Sequence, residues 1–498
     1  MWRIYREIET IFNINRAGKY GEQHMAVTIY EQNNYNCELD SIDVYFEYGN
    51  SVVFCTGEKT ISRKGIDSFS CARLTVISKC EIEQYQGPSE VTRYFRGDNL
   101  IIQGIISFFT GFSLTVYHCD SGSGGLQPIE YEKQKIHLSM EGSDYTEDLQ
   151  ILLKKLEEEP GLVITLLDRW RKAIYLKEES YEADLYYDEA TLSFFHILEL
   201  FGDTVNKELR TKLENNIEKM LQQHYENFYF DDMKVKQMVE QNKKAVNTLL
   251  IGDFLNLAVK VKYFLEKYDL LDDNVAEFID NMIKVRNAVA HGRMTHQKMF
   301  MWPLSPFFNL AKDSYDNIEF MYFLTATMIS KYVGMQCWQE EWNETKKFLM
   351  PPRQTIRAFL KGELTVEKDS LVDGREYNIS WRALFNYYVK NPKRETRREL
   401  ESAIEDMFIN TSVNEENAPD IFNMSIILAD SEKKEIKEKA IENIGIIIKE
   451  DWHGWSHVRD AYIYLQFYSV EPEWYKNFLD NKEYLRLKGL NKAGAEGT

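Results

Sequence analysis

The segment KVRNAVAHG, residues 284–292, holds three side chains whose chemistry could combine. Arg286 carries a permanent cation whose planar fork suits a phosphate or a carboxylate. His291 is the residue type best suited to exchange a proton near neutral pH. Asn287 donates and accepts hydrogen bonds from one amide. Lys284 and Arg293 stand nearby as further cations. Anion binding and proton transfer are therefore the two tasks open to this set.

A helix must position them. Asn274-Val-Ala-Glu277 fits a capping box, with Asn274 as N-cap and the glutamate three residues on. Gly292 suits a left-handed residue just past the other end. The spacing predicts a helix from Val275 to His291. At 100° per residue, Glu277, Asp280, Lys284, Asn287 and His291 fall within an arc of roughly 80°. Val275, Phe278, Met282, Val285 and Val289 gather opposite, flanked by Ile279 and Ile283. Asn287 and His291 are one turn apart and can touch a common ligand. Arg286 lies roughly 140° from His291 on an ideal helix, on the isoleucine flank. A buried arginine is costly without a partner, so it must either reach around the last turn or meet something across an interface. The negative helix end favours a protonated imidazole but repels phosphate. Anion binding thus falls to Arg286, with Lys284 and Arg293 as substrate-binding cations.

The string VRNAVAHG resembles the signature of HEPN domains, an arginine followed by a polar residue and, five positions on, a histidine. TLSFFHILELFGD, residues 191–203, is similar to an early HEPN helix in ApeA-like antiphage defence proteins. A β-rich region ahead of the helical one resembles their architecture too. The resemblance covers about 185–335, and 1–145 by architecture alone. It implies a metal-independent endoribonuclease, without cofactor, acting as a homodimer or higher homo-oligomer. Arg286 would bind the phosphate, Asn287 would orient the phosphate or the imidazole, and His291 would act as acid or base. It also implies an abortive-infection-like role, with RNA as substrate and a phage-derived protein or nucleic acid as trigger. HEPN toxins silenced by AMP transfer carry a tyrosine two residues after the histidine. Here that position is Arg293, which speaks against such silencing. The competing expectation is a non-catalytic HEPN scaffold that binds a partner protein.

Three regions follow from the texture of the 498 residues. Residues 1–142 carry short runs rich in Val, Ile, Phe and Tyr, such as MAVTIY, IDVYFEY, SVVFCTG, ARLTVIS and KIHLSM, bounded by turn residues. Gly49-Asn50 is a hairpin signal, and DSGSGG (residues 120–125) reads as a flexible loop tip. The expected fold class is α+β: an all-β sandwich or barrel at the N-terminus, then an α-helical HEPN bundle (143–348), then a further α-helical region (349–498). Pro160-Gly161 ends one helix, Pro351-Pro352 marks the last boundary, and AGAEGT at the end reads as a tail. Leu100–Tyr117 has no charge for eighteen residues, but its polar residues and the Thr110-Gly111 pair favour two buried strands over a membrane span.

The composition is that of a globular chain, 44% hydrophobic and 28% charged, with formal charge −19. Such a balance excludes a protein that coats nucleic acid with a broad basic surface, and confines any such chemistry to a local site. The N-terminus lacks a signal peptide's basic start and apolar run. The six cysteines form no CxxC pair, which suits reduced thiols in the cytoplasm. No phosphate-cradling loop is present. His453 and His457 in DWHGWSH, near Asp451 and Asp460, have metal-ligand letters, but Gly454 weakens a helix between them and no metal is expected. His118-Cys119-Asp120 sits on a strand, where neighbours point apart. The Lys-rich stretch 233–244 reads as a solvated helix face.

Overall fold

The computed structural model describes residues 24–32, 43–49, 51–56, 72–80, 93, 95–113, 119–125, 137–140, 143–183, 186–252, 255–291 and 314–489. The chain gathers into two compact units, Met1–Phe264 with Met321–Trp342, and Leu265–Phe320 with Asn343–Thr498. The division runs inside the stretch 143–348.

The first unit overturns the expected N-terminal β sandwich or barrel. The chain is mostly α-helical, and its strands, among the described residues, form one antiparallel sheet in the order β5-β1-β4-β3-β2-β6-β7. They are β1 (His24–Gln32), β2 (Asp43–Tyr48), β3 (Ser51–Thr56), β4 (Ala72–Cys80), β5 (Cys119–Gly125), β6 (His137–Met140) and β7 (Ser143–Asp144). β2 and β3 pair as the expected hairpin, with Tyr48 opposite Ser51 and Gly49 at φ +56°. DSGSGG, expected as a loop, lies in β5 and pairs with β1, Gly122 opposite Val27. Ladder bonds use backbone groups alone, so a side-chain-poor run can fill an edge strand.

The uncharged stretch is helix, not two strands: α1 runs Arg96–Thr110 and is buried along Ile102–Thr110. A short apolar run without alternation does not distinguish a buried strand from a buried helix. Gly111 ends this helix rather than turning a hairpin. Its φ is +72°, and a Cβ there would lie 2.7 Å from the Tyr322 hydroxyl. Helices α2 (Thr146–Glu158) and α3 (Pro160–Ala183) follow, the proline opening the second. Trp170 of α3 stacks on Tyr322 at 5.3 Å and packs on Phe108 at 5.1 Å. Helix α4 (Tyr187–Glu226) is 40 residues long and turns back as α5 (Asp232–Ile251), whose N-cap Asp231 accepts from the Lys234 amide. Ile217, Leu221, Val235 and Val239 form the seam of this hairpin. Helix α6 spans Leu257–Lys267. No described helix is long and apolar enough to cross a membrane.

The second unit holds α7 (Asp273–Ala290) and the helices after residue 352, from α10 (Arg353–Leu360) to α18 (Glu483–Leu487). Between them in sequence come α8 (Ser314–Val333) and α9 (Gln339–Thr345), of which Met321–Trp342 belongs to the first unit. Pro352 is the N-cap of α10. The others are α11 (Ser370–Asp373), α12 (Trp381–Lys390), α13 (Arg394–Ile409), α14 (Ala418–Leu428), α15 (Lys434–Glu450), α16 (Val458–Phe467) and α17 (Glu473–Asp480). Trp381, Phe408, Phe422 and Tyr475 are fully buried at the centre of one continuous core. The tail AGAEGT lies outside the described residues.

Candidate functional site

Helix α7 carries the motif, and its start differs from expectation by two residues. Asp272, not Asn274, is the N-cap, its carboxylate accepting from the Val275 amide at 2.9 Å. Three capping-competent residues stand in a row here, Asp272, Asp273 and Asn274, and the sequence pattern does not choose among them. Asn274 instead donates from its side chain to Oδ1 of Asn378 at 2.8 Å. Asn378 in turn donates to the carbonyls of Lys346 at 2.6 Å and Leu349 at 3.1 Å. It does so from a left-handed backbone, φ +56°, a conformation that asparagine tolerates better than most residues. This side chain anchors the first turn of α7. Only its left-handed tolerance is legible in advance; its partners are about a hundred and about thirty residues away in sequence.

Burial along α7 follows the predicted face and then fades. Val275, Phe278, Ile279 and Met282 are buried, and Phe278 packs edge-on against Phe320 with ring centres 5.6 Å apart. From Ile283 on, no residue of the helix is fully buried. Val285, Arg286, Asn287, Ala288 and Val289 are half-buried, while Lys284, Ala290 and His291 are exposed. The end of α7 that bears the motif emerges from the core that fixes its beginning.

The helix closes at Ala290, and His291 is its C-cap, with φ −98° and its amide donating to the carbonyl of Asn287 at 3.2 Å. Gly292 and Arg293 lie outside the described residues, so the expected glycine stop and the second substrate cation are not placed. Within the single chain, Nη1 of Arg286 donates to Oδ1 of Asn287 at 3.2 Å, so the guanidinium reaches from the apolar flank to the Asn287 stripe. The structure thus brings Arg286 and Asn287 into direct contact, with His291 one turn further along that stripe and open to solvent. Lys284 is exposed and turned back along its own helix, 3.4 Å from Oδ1 of Asn281. The arrangement can hold an anion beside a cation and present an imidazole near it.

The other histidine segment does different work. His457 caps α16, its Nδ1 accepting from the Arg459 amide at 3.1 Å while Asp460 accepts from the His457 amide at 2.7 Å. His453 is buried beside the Phe422 ring. Its Nε2 lies 3.1 Å from Oδ1 of Asp451, which Lys488 also holds. The Lys488 ammonium also approaches this nitrogen, at 3.4 Å; the carboxylate contact requires Nε2 to carry a proton, whereas the lysine, which only donates, requires it to accept. Burial first, then the Lys488 charge, keeps this imidazole below its ordinary value, and the Lys488 hydrogen bond keeps Asp451 low. The two histidines are committed to separate structural roles, and no group of metal ligands forms among the described residues. His118 lies outside the described residues. Cys337 is a free, buried thiol pushed up by burial, which disfavours the nucleophilic thiolate.

No family model, no curated protein and no solved structure matches the chain.

Proposed function

We propose that the chain is a HEPN-type, metal-independent endoribonuclease with Arg286, Asn287 and His291 at its site. The observation that carries this reading is the turn of the Arg286 guanidinium onto Asn287, on the stripe that ends in exposed His291. RNA supplies its own nucleophile. The 2′-oxygen attacks phosphorus as a base takes its proton, and the bond to the 5′-oxygen breaks as an acid protonates the leaving group. The products are a 2′,3′-cyclic phosphate and a free 5′-hydroxyl. Arg286 would offset charge on the phosphorane, Asn287 would orient the phosphate or the imidazole, and Lys284 and Arg293 would contact flanking phosphates. Acid and base are needed at two different oxygens, which one imidazole does not easily serve together. Two copies of α7 across a two-fold axis would supply two imidazoles and two guanidiniums, so a homodimer, or a higher oligomer built from it, is the working form. The biological reading is a cytoplasmic, abortive-infection-like antiphage defence, in which residues 1–142 sense a phage protein or nucleic acid and restrain cutting.

The test is to express wild type beside Arg286→Ala and His291→Ala, scoring growth arrest, RNA integrity and the chemistry of the new ends. RNA cut by His291→Ala as fast as by wild type, with fold and oligomer intact, would falsify the assignment. A second reading, a non-catalytic HEPN scaffold, draws on the net charge of −19, which disfavours a polyanionic substrate. It predicts that both variants retain partner binding and that wild type leaves RNA intact.

A further inference from the structure

The tip of the α4–α5 hairpin exposes more apolar surface than its own fold requires. Its seam is closed by Ile217, Leu221, Val235 and Val239, which face one another. Yet Tyr229 is 97% exposed, Phe228 57% and Met233 82%, with Phe230 and Met220 also exposed. Isolated exposed apolar residues are ordinary, but a contiguous set is not. Met220, His224 and Phe228 follow one another at helical spacing, and the Phe228 ring meets His224 edge-on and stacks on Phe230 at 5.8 Å. Tyr229 holds φ +58°, a backbone region that costs a non-glycine residue about 1 kcal/mol or more. That conformation places its ring in solvent, where the hairpin gains nothing from it.

We infer that this aromatic tip is a self-association surface, which a second copy of the chain covers across a two-fold axis. Two arguments favour another copy over other occupants. The first is area. Aromatic side chains bury roughly 150–250 Å² each when covered. At their exposures the five apolar residues offer on the order of 600 Å², and two tips together about 1,200 Å², the lower bound for a specific interface. The second is charge. Exposed Asp232 and exposed Lys236 lie one turn apart on α5, an acid followed by a base. A copy related by a two-fold axis perpendicular to α5 runs antiparallel to it and sets each acid against the other's base. Acids and bases also balance over residues 203–251, eight of each, so local charge does not oppose approach. The same balance, with Asp231 and Asp232 beside the rings, disfavours a nucleic-acid strand. This inference does not rest on the nuclease reading, because the hairpin contains none of the motif.

Sedimentation of the full chain tests it. Wild type is expected to self-associate. Phe228→Ser/Tyr229→Ser/Phe230→Ser is expected to weaken self-association by about thirtyfold or more, the mark of lost hot spots. Circular dichroism and thermal melting check that the buried seam still folds. Asp232→Lys and Lys236→Glu, at exposed positions, are each expected to weaken it alone and to recover it when mixed, since only the mixed pair restores opposite charges. That recovery would not follow from misfolding. A wild-type chain that stays monomeric, or an oligomer indifferent to all these substitutions, overturns the inference. So does a tip that instead governs binding of a fluorescent single-stranded oligonucleotide or of phosphatidylcholine vesicles without changing sedimentation.

Discussion

Two segments of the second unit carry histidine in a suggestive setting, and the fold treats them oppositely. In DWHGWSH, His453 is sealed against Phe422 and Asp451, and His457 caps a helix. In VRNAVAHG, His291 stands exposed at the end of α7, with a cation turned toward its stripe. The letters of the first segment are the richer in metal and acid–base types. What separates the two is burial and capping. A histidine sealed in the core or spent on a helix cap has little left for a ligand, whereas one at an exposed helix end is available to substrate or to a second chain.

The sharpest way to break this contrast is to exchange the readouts. On the proposed nuclease reading, His291→Ala should reduce RNA cleavage by about 10²–10⁴-fold, the usual worth of a general acid–base, with an unchanged melting temperature. His453→Ala should do the reverse. It empties a buried site and should cost about 2 kcal/mol in denaturant unfolding, while cleavage per folded molecule is retained. Should His291→Ala destabilise the chain as much as His453→Ala does, the two segments are alike and the contrast fails.

The helix start gives a smaller effect. Asp272→Ala removes the N-cap of α7 and should cost about 1 kcal/mol. Asn274→Ala instead cuts the tie to Asn378, so its effect should vanish in an Asn378→Ala background, whereas that of Asp272→Ala should persist. Equal behaviour of the two in that background would return Asn274 to a capping role.

The smallest effect is on pH. The folded state resists protonating His453, so the unfolded chain binds more protons just below the ordinary histidine value of about 6.5. This contribution is complete above that value and is lost as pH falls through and below it. Asp451 is held low, so its contribution is lost at still more acid pH. Stability of wild type should therefore fall from pH 7 to pH 5, and His453→Gln should flatten the upper part of that fall. A profile unchanged by the substitution would show that His453 does not carry it.

Much of the local structure is written locally. MAVTIY and ARLTVIS lie in strands, as do the described residues of IDVYFEY, SVVFCTG and KIHLSM, and the apolar face of α7 is buried at Val275, Phe278, Ile279 and Met282. The errors fall where the deciding contact is distant. Residues 96–110 form a helix because their apolar side chains are wrapped on several sides, which removes the alternation that marks a strand or a helix. The sandwich fails with it, since a helix occupies the place of two expected strands. DSGSGG is a strand because β1 supplies its backbone partners. In the site, the stripe of Asn287 and His291 follows from helical spacing alone. The reach of Arg286 onto Asn287 depends on rotamers that spacing does not specify, and the anchor Asn378 lies 104 residues from Asn274.

The fading burial of α7 has a mechanical consequence. Full burial ends at Met282, and the helix runs on, half-buried and then exposed, for nine residues to His291, about 13 Å at 1.5 Å per residue. A tilt of about 4° at Met282 would swing the far end by about 1 Å. A displacement of that size can lower a reaction rate by about a hundredfold. The hydrogen bonds of Asn378 and the Phe278–Phe320 contact thus bear on that far end as well as on the core. Loosening them should degrade the reaching end long before it unfolds the chain.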